Sequence, residues 1–288
     1  MAQTGVSVRR VIAAGARGLG GTALVVVAAA AAASMAFAHT PQTIATDQRP
    51  GTCHLAEDPN ELVVIPSDSS PAVPCDAPHQ TETMWTTTLT GRVAASRVRP
   101  NGELLNATFG GVCSDYLRIR RYLGAGPSDV TWGLATWNRF PTAAAWARGD
   151  RTLACQGSTT TDSPSGPTID YPLFDVMASP RSTRFRLCRG AGGRLTCDQS
   201  HTAEATSPNI LLTGPWPGAV AEAKAAAQAC RPVVSAYLGE PVEARPDLVI
   251  VPDPVGQGAW NPAGQPVDCW LGFADGRSAT GSLRGGLR

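Results

Sequence analysis

Cys75-Asp76-Ala77-Pro78-His79-Gln80-Thr81-Glu82, in the first half of the chain, is answered in the second half by Cys197-Asp198-Gln199-Ser200-His201-Thr202-Ala203-Glu204. Both stretches read C-D-x-x-H-x-x-E. Each is followed by a helical segment that carries a cysteine and ends Tyr-Leu-Gly, at Tyr122-Leu123-Gly124 and Tyr237-Leu238-Gly239. A tryptophan and a last cysteine then follow at the spacing W-x8-C, Trp146 to Cys155 and Trp260 to Cys269. A pattern repeated in this order marks the positions that one fold needs twice, so it speaks to architecture before it speaks to chemistry.

Length and charge set the outer limits. The 288 residues are too many for one average domain and suit two of ordinary size. The formal charge is +1, and it falls by three to −2 without Arg9, Arg10 and Arg17 of the N-terminal leader. A near-neutral protein with a single lysine, Lys224, and no Lys/Arg block has no electrostatic footprint for nucleic acid. The leader reads as a targeting segment, with its arginines ahead of an uncharged stretch, Gly18 to Ala38, that ends Ala36-Phe37-Ala38 like a cleavage site. Residues 1–38 are therefore expected to be a signal peptide. The alternative is an N-terminal anchor, since residues 18–38 match the roughly twenty needed to span a bilayer; membrane contact is then expected only there.

Export gives the cysteines their meaning. Cys53, Cys75, Cys113, Cys155, Cys188, Cys197, Cys230 and Cys269 fall four to each half, and an even set in an oxidising compartment defaults to disulfides. The domain plan that follows is an extended segment at 39–51, a first repeat at 52–157, a linker rich in Ser, Thr, Gly and Pro at 158–170, and a second repeat at 171–288.

Alternation predicts strands at Glu61–Ile65, Thr81–Leu89, Thr183–Leu187 and Leu248–Val251. Taking Gly192-Gly193 as a two-residue turn pairs Gly190 with Leu195, Arg189 with Thr196 and Cys188 with Cys197. Directly opposed residues at a non-hydrogen-bonded position have Cα atoms about 4.5 Å apart, within the range of a disulfide. By analogy between the repeats, Cys53 pairs with Cys75, which leaves Cys113 with Cys155 and Cys230 with Cys269. The residues alone leave three connectivities open in each half.

A first helix is expected over Leu104–Leu123, with Leu105, Phe109, Val112, Tyr116, Ile119 and Leu123 as its apolar stripe and Gly124 at its C-terminal cap. Gly110-Gly111 weakens it internally, and Arg118, Arg120 and Arg121 suit its last turns. A second helix is expected over Pro217–Leu238, kinked at Pro232. Aligning the two on Tyr-Leu-Gly leaves Cys113 two residues out of register with Cys230, about 200° around a helix. Either the helices end differently or the kink absorbs the offset.

Cys75, Pro78, His79 and Glu82, then Trp146-Ala147-Arg148-Gly149-Asp150-Arg151 running to Cys155, and Thr280-Gly281-Ser282-Leu283-Arg284-Gly285 at the end together resemble the septum-formation domain family of actinobacteria. That family has P-H-x-x-E after a cysteine, G-D-R before a cysteine and a closing T-G-S-L-[KR]-G. The resemblance covers most of the mature chain as two degenerate copies. The second copy has Ser200 in place of the proline and Gly264-Gln265-Pro266 in place of G-D-R; the first has no closing motif beyond Gly157-Ser158. The resemblance implies a secreted or membrane-tethered envelope protein linked to septum formation, and it brings no catalytic residues.

Cys75, His79 and Glu82 are all metal-ligand types, but zinc requires reduced cysteines, and within a strand His79 and Glu82 point to opposite faces. Each motif histidine is instead expected to bond a backbone carbonyl or nearby acid beside its disulfide. A Ser-His-Asp site would draw on His39, His54, His79 or His201, yet no G-x-S-x-G elbow is present. Distant carboxylates could still meet in a fold. Gly190, Gly192 and Gly193 belong to the hairpin and not to a phosphate loop. Arg148-Gly149-Asp150 reads as turn chemistry. Trp132, Trp137 and Trp146 read as an aromatic cluster expected to pack a core or hairpin, with Trp132 and Trp137 as the candidate wall-sugar contacts in the alternative.

The expectation is thus an α+β protein, a tandem repeat of two small disulfide-braced domains, each a few antiparallel strands packed with one main helix. Its eight cysteines are structural, as are the motif residues His79, Glu82, His201, Glu204, Trp146 and Trp260. It is expected to be extracytoplasmic, either secreted or tethered to the outer face of the cytoplasmic membrane. No enzyme activity, cofactor or metal is expected. Its partner is an envelope or division protein, or peptidoglycan. Proteolysis without reduction is expected to release a peptide in which Cys188 is joined to Cys197; mass spectrometry finding either joined elsewhere would break the repeat-based pairing.

Overall fold

The computed structural model describes residues 48–55, 67, 70–159 and 168–284. The expected leader at 1–38 and the strand at Glu61–Ile65 lie outside the described residues, as does most of 39–51 and of 158–170. Among the described residues no helix is long and apolar enough to cross a membrane.

Strands β1 (Cys53–His54), β2 (Ala72–Val73), β3 (Thr81–Thr88), β4 (Leu134–Arg139) and β5 (Thr152–Thr159) form one sheet in the order β2-β1-β3-β5-β4. Strands β6 (Leu187–Gly190), β7 (Gly193–Thr196), β8 (Ala203–Leu212), β9 (Leu248–Val251) and β10 (Gln265–Phe273) form a second, in the order β7-β6-β8-β10-β9. Every pairing in both is antiparallel. Each strand of the first sheet thus takes the place held in the second by the strand five later in the chain. Even the irregularity repeats: Met84 is the extra residue between the Thr83–Gln156 and Trp85–Cys155 pairs, and Thr206 is the extra residue between Ala205–Trp270 and Ser207–Cys269. Such a bulge bends a strand and strengthens its twist, so both central strands curve at the same point. The two sheets lie in a single compact unit of the chain.

The helical layer differs between the halves. The first half holds α1 (Gly91–Ala94), α2 (Gly102–Phe109), α3 (Tyr116–Tyr122) and α4 (Ala143–Ala147), whereas the second holds one long helix, α5 (Ala219–Leu238). The single helix expected over Leu104–Leu123 is therefore two. It ends at Gly110-Gly111, where the backbone has most freedom to lose, passes through a 3-10 turn at Val112–Ser114, and restarts behind Asp115. The Asp115 carboxylate accepts from the amides of Leu117 and Arg118, both at 3.1 Å, and so caps α3. This break absorbs the two-residue offset between Cys113 and Cys230. Cys113 sits in the 3-10 turn, free of any helical phase, and still reaches Cys155 with a Cα–Cα distance of 5.1 Å; Cys230 on α5 reaches Cys269 at 5.4 Å. Helix α5 runs through Pro232 without interruption.

Each half has its own core. In the first, Leu105, Cys113 and Trp146 pack on Leu153 and Cys155 of β5. In the second, Cys230, Val234 and Tyr237 of α5 pack on Leu248, Cys269 and Leu271. Burying each such aliphatic side chain contributes about 1.5–3 kcal/mol. The bridges Cys113–Cys155 and Cys230–Cys269 tie the helical layer to the sheet, and each contributes roughly 2–4 kcal/mol more.

All four expected bridges are present, including Cys53–Cys75 and Cys188–Cys197. The hairpin register behind the last differs from the sequence reading. Gly190 pairs with Gly193 and Cys188 with Leu195, so the two-residue turn is Ala191-Gly192. Gly193 takes φ 111°, a value open to glycine and strained for other residues, and this moves the turn by one position. Cys197 lies just beyond the ladder and bridges back to Cys188 from there, at a Cα–Cα distance of 5.1 Å. The strand expected at Thr183–Leu187 is also revised: Pro180–Phe185 is 3-10 helix, opened by Pro180 and capped by Ser179, and extended structure begins at Arg186.

The first half does have a closing segment, although its letters differ from those of the second. Ile169 forms a two-way backbone bridge with His79, as Ala279 does with His201. Ile169, Tyr171, Leu173, Val176, Met177 and Phe185 then pack on Leu123 at the end of α3. Residues that the sequence divides between a linker and the second repeat thus complete the first repeat's core.

Candidate functional site

The two C-D-x-x-H-x-x-E stretches form matching buried corners. His79 and His201 are sealed from solvent, and each places Nδ1 against a carbonyl of its own turn, Ala77 at 2.8 Å and Gln199 at 2.7 Å. A carbonyl only accepts, so Nδ1 carries the proton in both rings. The expected histidine-to-carbonyl contact beside each disulfide is what the fold contains. It pins the turn that leads from the bridge into β3 or β8.

The motif glutamates do more. Glu82 accepts the Tyr122 hydroxyl on Oε1 and the Leu173 amide on Oε2, each at 2.5 Å. Glu204 accepts the Tyr237 hydroxyl on Oε1 and the Leu283 amide, at 2.6 Å, on Oε2. The tyrosine of Tyr-Leu-Gly and the glutamate of C-D-x-x-H-x-x-E are therefore partners in both halves. Their shared recurrence is the one signal in the sequence that joins the two motifs. The closing motif supplies the third member: Ser282 donates to both Glu204 oxygens, at 3.0 and 3.1 Å. In the first half Pro172 precedes Leu173, so that hydroxyl has no counterpart.

From Glu204 the network runs to the joint between the halves. Residues 130–132 pair antiparallel with the approach to β6, through Trp132 N to Phe185 O at 2.8 Å and Leu187 N to Val130 O at 3.1 Å. Gly133 follows with φ 74°, where a Cβ would lie 2.9 Å from Arg184 O, so this close approach requires glycine. Beside this pairing the Asp129 carboxylate meets Arg186 Nη1 at 2.5 Å, both side chains almost wholly buried, and Arg284 Nη1 at 3.2 Å. Arg186 lies 3.4 Å from the Tyr237 hydroxyl, which links the ion pair to Glu204. On the other side Arg120 of α3 donates to the carbonyls of Asp129 and Gly126. Asp129 and Arg186 are not duplicated, so the repeat pattern could not reveal them.

Burial sets the electrostatics here. Desolvation raises the Glu204 carboxyl above its ordinary range, even though Tyr237, Arg186, Leu283 and Ser282 all favour the ionised form. Desolvation, with the neighbouring Glu204 charge, raises the Tyr237 phenol well above its own ordinary value, so it remains a donor. Tyr122 is raised likewise by desolvation and by Glu82.

The metal-ligand types are distributed differently from the sequence reading. In the first corner the neighbouring donor atoms belong to Cys53, Cys75 and Glu82, and in the second to Cys188, Cys197 and His201. Glu82 stays beside Cys75, whereas His79 does not join them; it precedes β3 and is held by its own turn. In both corners the cysteines are bridged.

A scan against protein-family models matches the family described as Septum formation over residues 50–269. This chain belongs to the septum-formation family. Searches of curated proteins and of solved structures returned no match. In this septum-formation protein all eight cysteines are bridged, which fits an oxidising, extracellular setting. Ser282, Leu283 and Arg284 form the segment that seals Glu204 and reaches Asp129.

The tryptophans separate. Trp146 is buried in the first core, donates to Ser96 O at 2.8 Å and carries Arg151 over its ring at 3.9 Å. Trp260 is half-buried and donates to Gly214 O at 2.8 Å. Trp137, on edge strand β4, is half-buried and donates to Ser158 Oγ. Trp132 is 40% exposed at the joint, with Arg194 of β7 over its ring at 5.9 Å. The three expected to cluster thus face a core, an edge strand and the joint.

Two outcomes test this network. Asp129→Ala leaves Arg186 buried without its partner and is expected to cost about 3–5 kcal/mol in urea unfolding. Glu204 holds its proton to higher pH in the folded than in the unfolded chain, so in that window the folded state binds more protons and stability falls as pH rises. The window opens at the ordinary carboxylate value and extends up to the raised one. Glu204→Gln is expected to flatten that fall in a series of urea midpoints against pH; an unchanged slope would show that Glu204 does not produce it.

Proposed function

We propose that this protein is an exported, non-catalytic component of the cell envelope that serves septum formation by contacting other division proteins. The family match over residues 50–269 carries the reading. The four bridges support the extracytoplasmic part, because they brace two small cores where thiols are oxidised. A scaffold role is also in keeping with the chemistry of the buried corners. Their glutamates are turned inward and committed to tyrosine and backbone partners, and each histidine holds a carbonyl of its own turn through Nδ1, an arrangement that stiffens a fold.

One observation favours a second reading, a module that binds wall sugars. Trp132 presents a partly exposed ring beside Arg194, and an aromatic face with a neighbouring cation suits a carbohydrate surface.

An export-competent fluorescent fusion expressed from the native locus is expected to concentrate at growing septa, and deletion to delay or misplace them. A uniform outline together with normal septa would remove the division role. Sedimentation with purified peptidoglycan separates the two readings: retention lost in Trp132→Ala would support wall binding, and no retention would leave protein contacts as the mode of action.

A further inference from the structure

His201 is 1% exposed, and its Nε2 has no hydrogen-bond partner among the described residues. With the proton held at Nδ1 by Gln199 O, the buried Nε2 keeps its lone pair unshared among the described residues. A ring nitrogen of His201 and the sulfurs of Cys188 and Cys197 all lie within 4.8 Å of one another, and all three residues are buried. Two cysteine sulfurs and an imidazole oriented by a backbone carbonyl are the donor types of a zinc site with one position left open. In the structure those sulfurs are bonded to each other.

We propose that this corner is a redox-gated zinc site, closed while Cys188 and Cys197 are bridged and opened when the bridge is reduced. The reductant is a dithiol. It transfers two electrons and two protons to the Cys188–Cys197 bond, which breaks to two thiols, and the reductant leaves as its own disulfide. Zinc then displaces the two thiol protons and takes the Nε2 lone pair.

Position makes this bridge the one suited to such a role. It closes the β6–β7 hairpin, whose strand β7 is the sheet's edge and whose Gly193 and Arg194 are exposed. An edge hairpin can open locally without loss of the core, whereas Cys113–Cys155 and Cys230–Cys269 lie within the two main clusters. The first corner differs in its third donor. There the group beside Cys53 and Cys75 is Glu82, whose oxygens already accept from Tyr122 and Leu173, so a metal would break two buried hydrogen bonds.

The test uses the whole purified protein, first oxidised and then treated with a dithiol under native conditions and desalted without oxygen. Zinc is titrated against a chromophoric chelator for wild type, His201→Ala and His79→Ala, each checked for folding by circular dichroism before reduction. Reduced wild type and His79→Ala are expected to bind one equivalent, His201→Ala more than about tenfold more weakly, and the oxidised protein none. Cobalt added to reduced wild type is expected to show thiolate-to-metal charge transfer with tetrahedral ligand-field bands, a readout independent of any variant. Equal affinity in reduced wild type and His201→Ala, undiminished binding by the oxidised protein, or cobalt without those bands would overturn the proposal.

Discussion

A carboxylate removed from water must be met by donors, and this fold meets that constraint twice. Glu82 and Glu204 stand at the start of the two central strands, and each draws in a tyrosine hydroxyl from the helix end and a backbone amide from the closing segment. Three parts of the chain far apart in sequence are thereby brought to one point. An unpaired buried oxygen costs about 1–3 kcal/mol, so each donor is held by the penalty for leaving. The disulfide at the same corner fixes the turn, and the histidine's bond to its own carbonyl fixes the path into the strand.

The copies diverge where the halves meet. The second corner has Ser282 as a further donor and, through Tyr237 and Arg186, a connection to Asp129 of the first half. Arg284 adds a second cation to Asp129 from the partly exposed side. The first corner keeps only the tyrosine and the amide. One corner therefore serves its own half, while the other also couples the halves through a buried ion pair. An ion pair of this kind contributes little to net stability against an apolar equivalent, but it is costly to break, so it favours one docking of the two halves over others.

Much of the architecture was legible because disulfide pairing and the period-two pattern are local consequences of residue order. The Cys188–Cys197 bridge, the α+β class, β9 and α5 could be read from the chain, and the other three bridges followed by analogy between the repeats. Errors fell where backbone freedom decided the outcome. Gly110-Gly111 lets a helix stop and restart, Gly193 moves a turn by one position, and Pro180 converts an expected strand into 3-10 helix. The candidate site was half legible. Glu82, Glu204, His79 and His201 were named as structural, but their tyrosine partners were not connected to them, since a motif match does not say which face a side chain shares with another motif.

The sequence by itself determined that one disulfide-braced unit is built twice, because a duplicated spacing of cysteine, histidine and glutamate, followed in each copy by Tyr-Leu-Gly, records the same local geometry. Only the tertiary structure decided how the copies became unequal. Asp129, Arg186 and the closing contacts of Ile169 and Leu173 have no repeated sequence signature. Their roles arise from burial and from which segments pack together, and those are properties of the folded chain and not of residue order.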